Sequence, residues 1–130
     1  MFSIDDLIGV PYIEGGRTPQ GYDCWGLVAE CMRRMEIELP DPFLFHGKES
    51  IPKEDWAAWI YQQFGHWKRI EKPVLAAVVV FANKDGIPDH AGVMIDEHRF
   101  IHAVKKVGVT ISRLDKWPYK LIGAYEYRRA

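Results

Sequence analysis

The chain has few cysteines. Its two, Cys24 and Cys31, stand seven residues apart, a spacing that fits neither a zinc-ligand pattern nor a CxxC redox pair. On one helix their side chains would lie about two turns apart, too far to bridge. Both are therefore read as free thiols. Charge of one sign is lacking as well: the formal net charge is -1, which leaves no electrostatic footprint for a nucleic acid or an anionic membrane. No apolar run approaches the roughly 18 residues of a membrane span. The opening MFSIDDLIGVPY carries Asp5 and Asp6 early and only a short apolar run, so it is not read as a secretory leader or as a membrane insertion. Repeats, low-complexity tracts and linker-like stretches are also missing, so residues 1–130 are expected to form a single domain. At 15.0 kDa that domain is large enough to bury a core without disulfides or a structural metal.

What is present divides into two halves. Ser3, Asp5 and Asp6 with the apolar positions Ile4, Leu7 and Ile8 predict a short helix ending near Gly9, stopped by Pro11. Residues Gly15 to Gly21 read as an irregular loop. From Cys24, the residues Leu27, Val28, Cys31 and Met35 recur at the spacing of an amphipathic helix, with Glu30, Arg33 and Arg34 off the stripe. Pro40 and Pro42 close that unit, and Pro52, Glu54 and Asp55 predict a further helix over DWAAWIYQQF. The second half is different in kind. LAAVVVF, AGVMI, RFIHAV, VTISRL and LIGAYEY are short β-branched or aromatic runs separated by NKDG, DEH and KWPY, the pattern of an antiparallel sheet. The expected class is α+β, with N-terminal helices packed on one face of a C-terminal antiparallel sheet.

Cys24 admits two readings. Asp23 is a good N-cap, which starts the helix at Cys24 and places its sulfur beside unpaired backbone N–H groups and the positive end of the helix dipole. Such surroundings lower a thiol pKa from about 8.5 to roughly 3.5–7.5, as a nucleophile at neutral pH requires. Against this, the apolar stripe begins at Cys24 itself, and free cysteine is among the most buried residue types. Cys31, mid-helix on the stripe, is read as core.

A cysteine nucleophile needs an imidazole base and a third group to orient it. Of five histidines, His46 and His66 fall on no periodicity and are read as surface residues. His90, His98 and His102 share the segment DHAGVMIDEHRFIHA, which reads as a hairpin with a three-residue loop, Asp96 to His98. In that register Ile95 pairs with Arg99 and Gly92 lies opposite His102. His90 and His102 then project from one face as diagonal neighbours, roughly 7 to 8 Å apart at the backbone. A loop one residue longer or shorter sends His102 to the other face. Without a cysteine to serve, such a pair is a packing pair or part of a metal site, although no third and fourth zinc ligands stand out.

With GYDCWGLV, a following HAG strand and FIHA in view, the chain resembles the NlpC-type cysteine peptidases, a papain-like family that cleaves bacterial cell-wall peptides. The family's nucleophile motif, Asp-Cys-Ser-Gly-Leu-Val, is matched by Asp23, Cys24, Gly26, Leu27 and Val28. Its base strand is matched by His90, Ala91 and Gly92, and its third polar residue by His102 before Ala103. PYIEGG supplies Tyr12 where the family has a tyrosine that reaches the active site. The resemblance implies a Cys24–His90–His102 triad hydrolysing a peptidoglycan stem peptide at a D-γ-glutamyl to diamino acid bond, with no metal or other cofactor. The Cys24 N–H and the Tyr12 hydroxyl are the implied oxyanion donors. Asp23, Trp25 and Arg17 complete the set expected around the oxyanion and substrate. Trp25 replaces the usual serine and should reshape a subsite; Arg17 is either placed to meet a substrate carboxylate or a solvated loop charge. DCWGLV on a short chain without a leader or wall-binding domain is similar to members found in phage tails. That implies synthesis in the host cytoplasm, assembly into a virion tail and other tail proteins as partners. The alternatives are a tail-assembly protein that keeps the fold without using its activity, and an amide hydrolase with another substrate.

Overall fold

A computed structural model describes residues 2–39 and 67–127. The helix expected over DWAAWIYQQF, His46 and His66 lie outside the described residues. The chain opens with a two-stranded ribbon, β1 (Arg17–Thr18) and β2 (Gly21–Tyr22), followed by the helix α1 (Cys24–Arg34). Six strands then form one antiparallel sheet: β3 (Trp67–Ile70), β4 (Val78–Ala82), β5 (Pro88–Met94), β6 (Arg99–Val104), β7 (Gly108–Arg113) and β8 (Lys120–Tyr127). Their spatial order is β3-β8-β4-β5-β6-β7. The α+β class read from the sequence is the class found, with one α-helix and a short 3-10 helix, Leu114–Lys116, among the described residues.

The first expected helix does not form. Ile4 accepts a backbone bond from Leu7 and Leu7 one from Val10, at 2.9 and 3.1 Å, so the segment is two consecutive four-residue turns. Between Ser3 and Pro11 there is too little chain to offset helix nucleation. Side-chain burial holds the segment instead: Phe2, Ile4 and Leu7 enter the core, and Asp6 pairs with Arg34 of α1 at 2.7 Å.

α1 starts where the sequence predicts. Asp23 is extended and its carboxylate accepts the Gly26 N–H at 2.7 Å, a side-chain N-cap. The stripe Leu27, Val28 and Cys31, with Met32, is buried against Val78, Val80, Ala91, Val93, Ile101 and Ala103 on one sheet face. Glu36, at φ 64°, turns the chain away after the last turn.

The opposite sheet face carries a second, smaller cluster built on Val79, Phe81, Met94 and Phe100, with Trp117 packed against it. Alternation along β5 and β6 sends Ala91 and Val93 to the helix face and His90, Gly92 and Met94 to the other. β5 and β6 pair Val93 with Ile101 and Met94 with Phe100, the register that a three-residue loop dictates. Asp96 closes that loop by accepting the N–H groups of His98 and Arg99, both at 2.7 Å, a local turn that fixes loop length. Three short pieces escaped the sequence pattern: β1, β2 and β3 span two, two and four residues, below the length at which alternation is readable.

Candidate active site

The site forms where the two sheet faces meet at the start of β5. Cys24 arrives from the helix side, in the first residue of α1, and its sulfur lies 3.9 Å from the carbonyl oxygen of Asp89, the residue before His90. A cleft of about 430 Å³ is lined by Cys24, His90, Tyr12, Glu14, Trp117 and Tyr119, among others. Cys24 is 5% exposed, so the thiol sits in the cleft wall rather than on open surface.

His90 and His102 share a hydrogen bond: His90 Nε2 and His102 Nδ1 are 2.7 Å apart. His102 is fully buried behind His90, and its Nε2 lies 2.8 Å from Ser112 Oγ. Burial pushes the His102 imidazole down to about 4, so it is neutral at pH 7 with one ring proton to share between two partners. Trp117 stacks on His90 with ring centroids 5.6 Å apart and meets His102 edge-on at 4.5 Å. Phe100 closes on His102 at 4.3 Å. Aromatic rings thus shield the His102 ring from water, which strengthens its hydrogen bond to His90, while His90 itself is half-buried on the cleft. Gly92 is required here: a Cβ would come within 2.7 Å of the Phe100 ring and 3.1 Å of His102 Cβ.

Tyr12 is held beside β2, the strand that leads into the nucleophile's helix, by a parallel bridge to Tyr22, with Tyr22 N–H donating to Pro11 O at 3.0 Å and Ile13 N–H to Tyr22 O at 3.2 Å. Burial first, then the nearby negative charges of Cys24, Glu14 and Asp23, raise its phenol well above the ordinary tyrosine value. It therefore remains a neutral O–H, and that O–H donates to Glu14 Oε2 at 3.1 Å. A tyrosine has one proton to give, so in this structure the Tyr12 hydroxyl is committed to Glu14 and not to the cleft.

Three residues expected around the substrate stand elsewhere. Asp23 is fully buried; besides capping α1 it accepts from Gly15 N–H at 3.1 Å and from Arg17 Nη1 at 2.6 Å. Arg17 is neither a solvated loop charge nor a residue of the described cleft wall: its Nη1 donates to Asp23 and, at 2.8 Å, to Gly16 O. The two residues form a latch that ties the glycine loop to the helix start. Gly26 completes it, since a Cβ there would collide with the Gly16 carbonyl oxygen. Trp25 packs half-buried against the helix-side core and is absent from the described cleft wall. Cys31 is fully buried, and burial pushes its thiol up to about 12, the behaviour of a core cysteine.

Glu14, Ser112 and Trp117 were not anticipated. Trp117 lay in KWPY, which reads as a turn; its aromatic side chain was the available signal. No side chains among the described residues cluster in threes or more to hold a metal ion, and no described helix is long and apolar enough to cross a membrane.

Comparison with known proteins places this geometry. The chain is 36% identical over 125 residues to a gamma-DL-glutamyl hydrolase of Bacillus subtilis, covering 92% of the chain and 26% of that protein. It is 29% identical over 126 residues to a probable peptidoglycan endopeptidase, LytE, of the same organism, covering 93% of the chain and 31% of that protein. The chain thus spans about a quarter to a third of the length of these curated relatives. Among solved structures, NlpC2 from Trichomonas vaginalis superposes with a TM-score of 0.72 at 20% identity, over 95% of this chain and 44% of that one. The NlpC/p60 domain of the peptidoglycan hydrolase SagA gives 0.59 at 17%, over 92% and 89%; both show a common fold. The model of the NlpC/P60 family matches residues 9–125, and the chain belongs to the NlpC/P60 family.

Proposed function

We propose that this domain is a cysteine peptidase that hydrolyses an amide bond in peptidoglycan stem peptides. The observation that carries the reading is the His90–His102 pair, joined at 2.7 Å, with His102 buried behind His90 and His90 on the cleft that Cys24 also lines, in a chain of the NlpC/P60 family. The Cys24 sulfur attacks the scissile carbonyl carbon as thiolate, its proton having passed to His90. The tetrahedral intermediate collapses to a thioester as His90 protonates the departing amine. A water, deprotonated by His90, then releases the acid and restores the thiol. His102 holds the His90 ring in orientation. The oxyanion falls to the Cys24 backbone N–H in the first turn of α1 and, once it is released from Glu14, to the Tyr12 hydroxyl; each such donor is worth about 10²- to 10³-fold in rate.

The proposed bond is D-γ-glutamyl to diamino acid, supported by the name of the gamma-DL-glutamyl hydrolase relative. The test is digestion of purified sacculi and defined muropeptides by the wild type and Cys24→Ala. Release of a new amine at the γ-glutamyl bond by the wild type alone supports it, and equal product from both sinks it. The proposed setting is a phage tail, reached from the host cytoplasm by assembly with other tail proteins, and it rests on the DCWGLV variant of the motif. Mass spectrometry of purified particles detects the chain there if the setting is right.

A second reading, a tail protein that keeps the fold and leaves the thiol idle, draws on the 5% exposure of Cys24. Iodoacetamide labelling followed by peptide mapping separates the two. An active site alkylates at Cys24 and spares Cys31, whereas an idle thiol labels at neither in the native protein.

A further inference from the structure

His102 has two hydrogen-bond partners and, being neutral, one ring proton. Its Nδ1 meets His90 Nε2 at 2.7 Å and its Nε2 meets Ser112 Oγ at 2.8 Å. The position of Ser112 follows from the register of β6 and β7: His102 pairs with Thr110 and Phe100 with Ser112. Ser112 is thus the diagonal, same-face neighbour of His102, within reach of its ring. Two arrangements of protons satisfy the chain of three side chains. In one, His102 Nε2–H donates to Ser112, His90 Nε2–H donates to His102 Nδ1, and His90 Nδ1 keeps a lone pair. In the other, the Ser112 hydroxyl donates to His102, His102 Nδ1–H donates to His90, and His90 Nδ1 carries the proton. Since His90 Nε2 is committed to His102, Nδ1 is the nitrogen left to act as base, and only the first arrangement leaves it basic. The first is also the only one compatible with a protonated His90, whose two N–H groups both donate.

We infer that Ser112 is a positioning residue of the proposed peptidase, accepting the His102 Nε2–H and so holding His102 in the tautomer that orients and deprotonates the correct nitrogen of His90. Ser112 is not among the residues that line the cleft, and it acts through its bond to His102. The inference rests on the peptidase reading for its catalytic meaning, but its structural content does not. Removing the hydroxyl leaves a buried N–H without an acceptor and favours the arrangement that protonates His90 Nδ1.

The test uses Ser112→Ala and Ser112→Thr with two readouts. Long-range ¹H–¹⁵N spectra of the histidine rings at pH 7 are expected to show His102 as the Nε2–H tautomer in the wild type and in Ser112→Thr. Ser112→Ala should shift it toward Nδ1–H. In muropeptide hydrolysis, Ser112→Ala should lower kcat about tenfold, the smaller end of what one unsatisfied buried donor costs, with KM within about twofold, and Ser112→Thr should restore kcat. A wild-type His102 found as Nδ1–H, or a Ser112→Ala protein with unchanged tautomer and kcat, overturns the inference. A wild type that shows the expected tautomer and its shift but hydrolyses no wall peptide overturns the peptidase reading and leaves the role of Ser112 on the tautomer standing.

Discussion

His102 should make the protein acid-sensitive in a defined window. In the unfolded chain its imidazole titrates near 6.5, whereas burial in the fold pushes it down to about 4. Below the unfolded value the unfolded state therefore binds a proton that the folded state refuses, and stability falls as pH drops. The contribution is fully present above about pH 7 and is lost progressively toward pH 4. One pKa unit is worth about 1.4 kcal/mol, so the shift predicts a loss of roughly 2 kcal/mol by pH 5 and about 3 kcal/mol at pH 4. The side chain is fully buried, so no solvent screening reduces that figure. The groups that face it are His90, Ser112 and the rings of Phe100 and Trp117. The perturbation is His102→Asn, whose amide reaches the place of His102 Nδ1 beside His90 but cannot gain a proton in this range. Urea denaturation at pH 7.5, 6, 5 and 4.5 gives the stability of each protein, with the linear slope checked for constancy. The difference between wild type and variant should narrow by about 2 kcal/mol between pH 7.5 and 5. Parallel curves would falsify the claim that burial holds His102 neutral, whatever the absolute cost of the substitution.

Other perturbations follow from the latch and the cleft. Arg17→Met leaves the buried Asp23 carboxylate without its cation and should cost about 3 kcal/mol in urea denaturation; a large rise in KM with unchanged stability would instead mean that Arg17 serves the substrate. Gly26→Ala drives a methyl group into the Gly16 carbonyl and should destabilise by about 2 kcal/mol, and a variant within about 0.5 kcal/mol of wild type would show that the loop yields freely. Tyr12→Phe should lower kcat by about 10²-fold if the hydroxyl meets the oxyanion, while Glu14→Ala, which frees that hydroxyl, should match or exceed the wild type. A Glu14→Ala protein as slow as Tyr12→Phe would make Glu14 a required partner of Tyr12 rather than a competitor for its proton.

The hairpin was legible because its information is local. Period-two alternation carries His90 and His102 to one face once the loop holds three residues; the sequence left that length open by one, and the bonds Asp96 accepts from His98 and Arg99 fix it. The helix start was legible for the same reason, an Asp23 cap followed by an apolar stripe. The first segment misled because Asp5 and Asp6 next to apolar positions satisfy a helix template in composition but not in length. Asp6 is used instead by Arg34, 28 residues away. Arg17 and Asp23 are only six residues apart, yet no periodicity links a loop arginine to a helix cap, so the sequence left the arginine between a substrate contact and a solvated charge and did not offer the cap.

What the sequence by itself determined was the class of fold, the capped helix that begins at Cys24, the two strands of the hairpin and the membership signalled by its motifs. Each depends on spacing along one strand, one helix or one turn. Tertiary structure alone decided that Asp23 and Arg17 lock each other, that Trp25 faces the core, that Tyr12 gives its proton to Glu14, and that Ser112 and Trp117 surround the histidine pair. Those outcomes depend on which side chains the fold brings together at one hydrogen-bonding atom or one apolar surface, not on spacing along a single element. A proton or lone pair already taken is invisible until the strands that bring its partner are folded together.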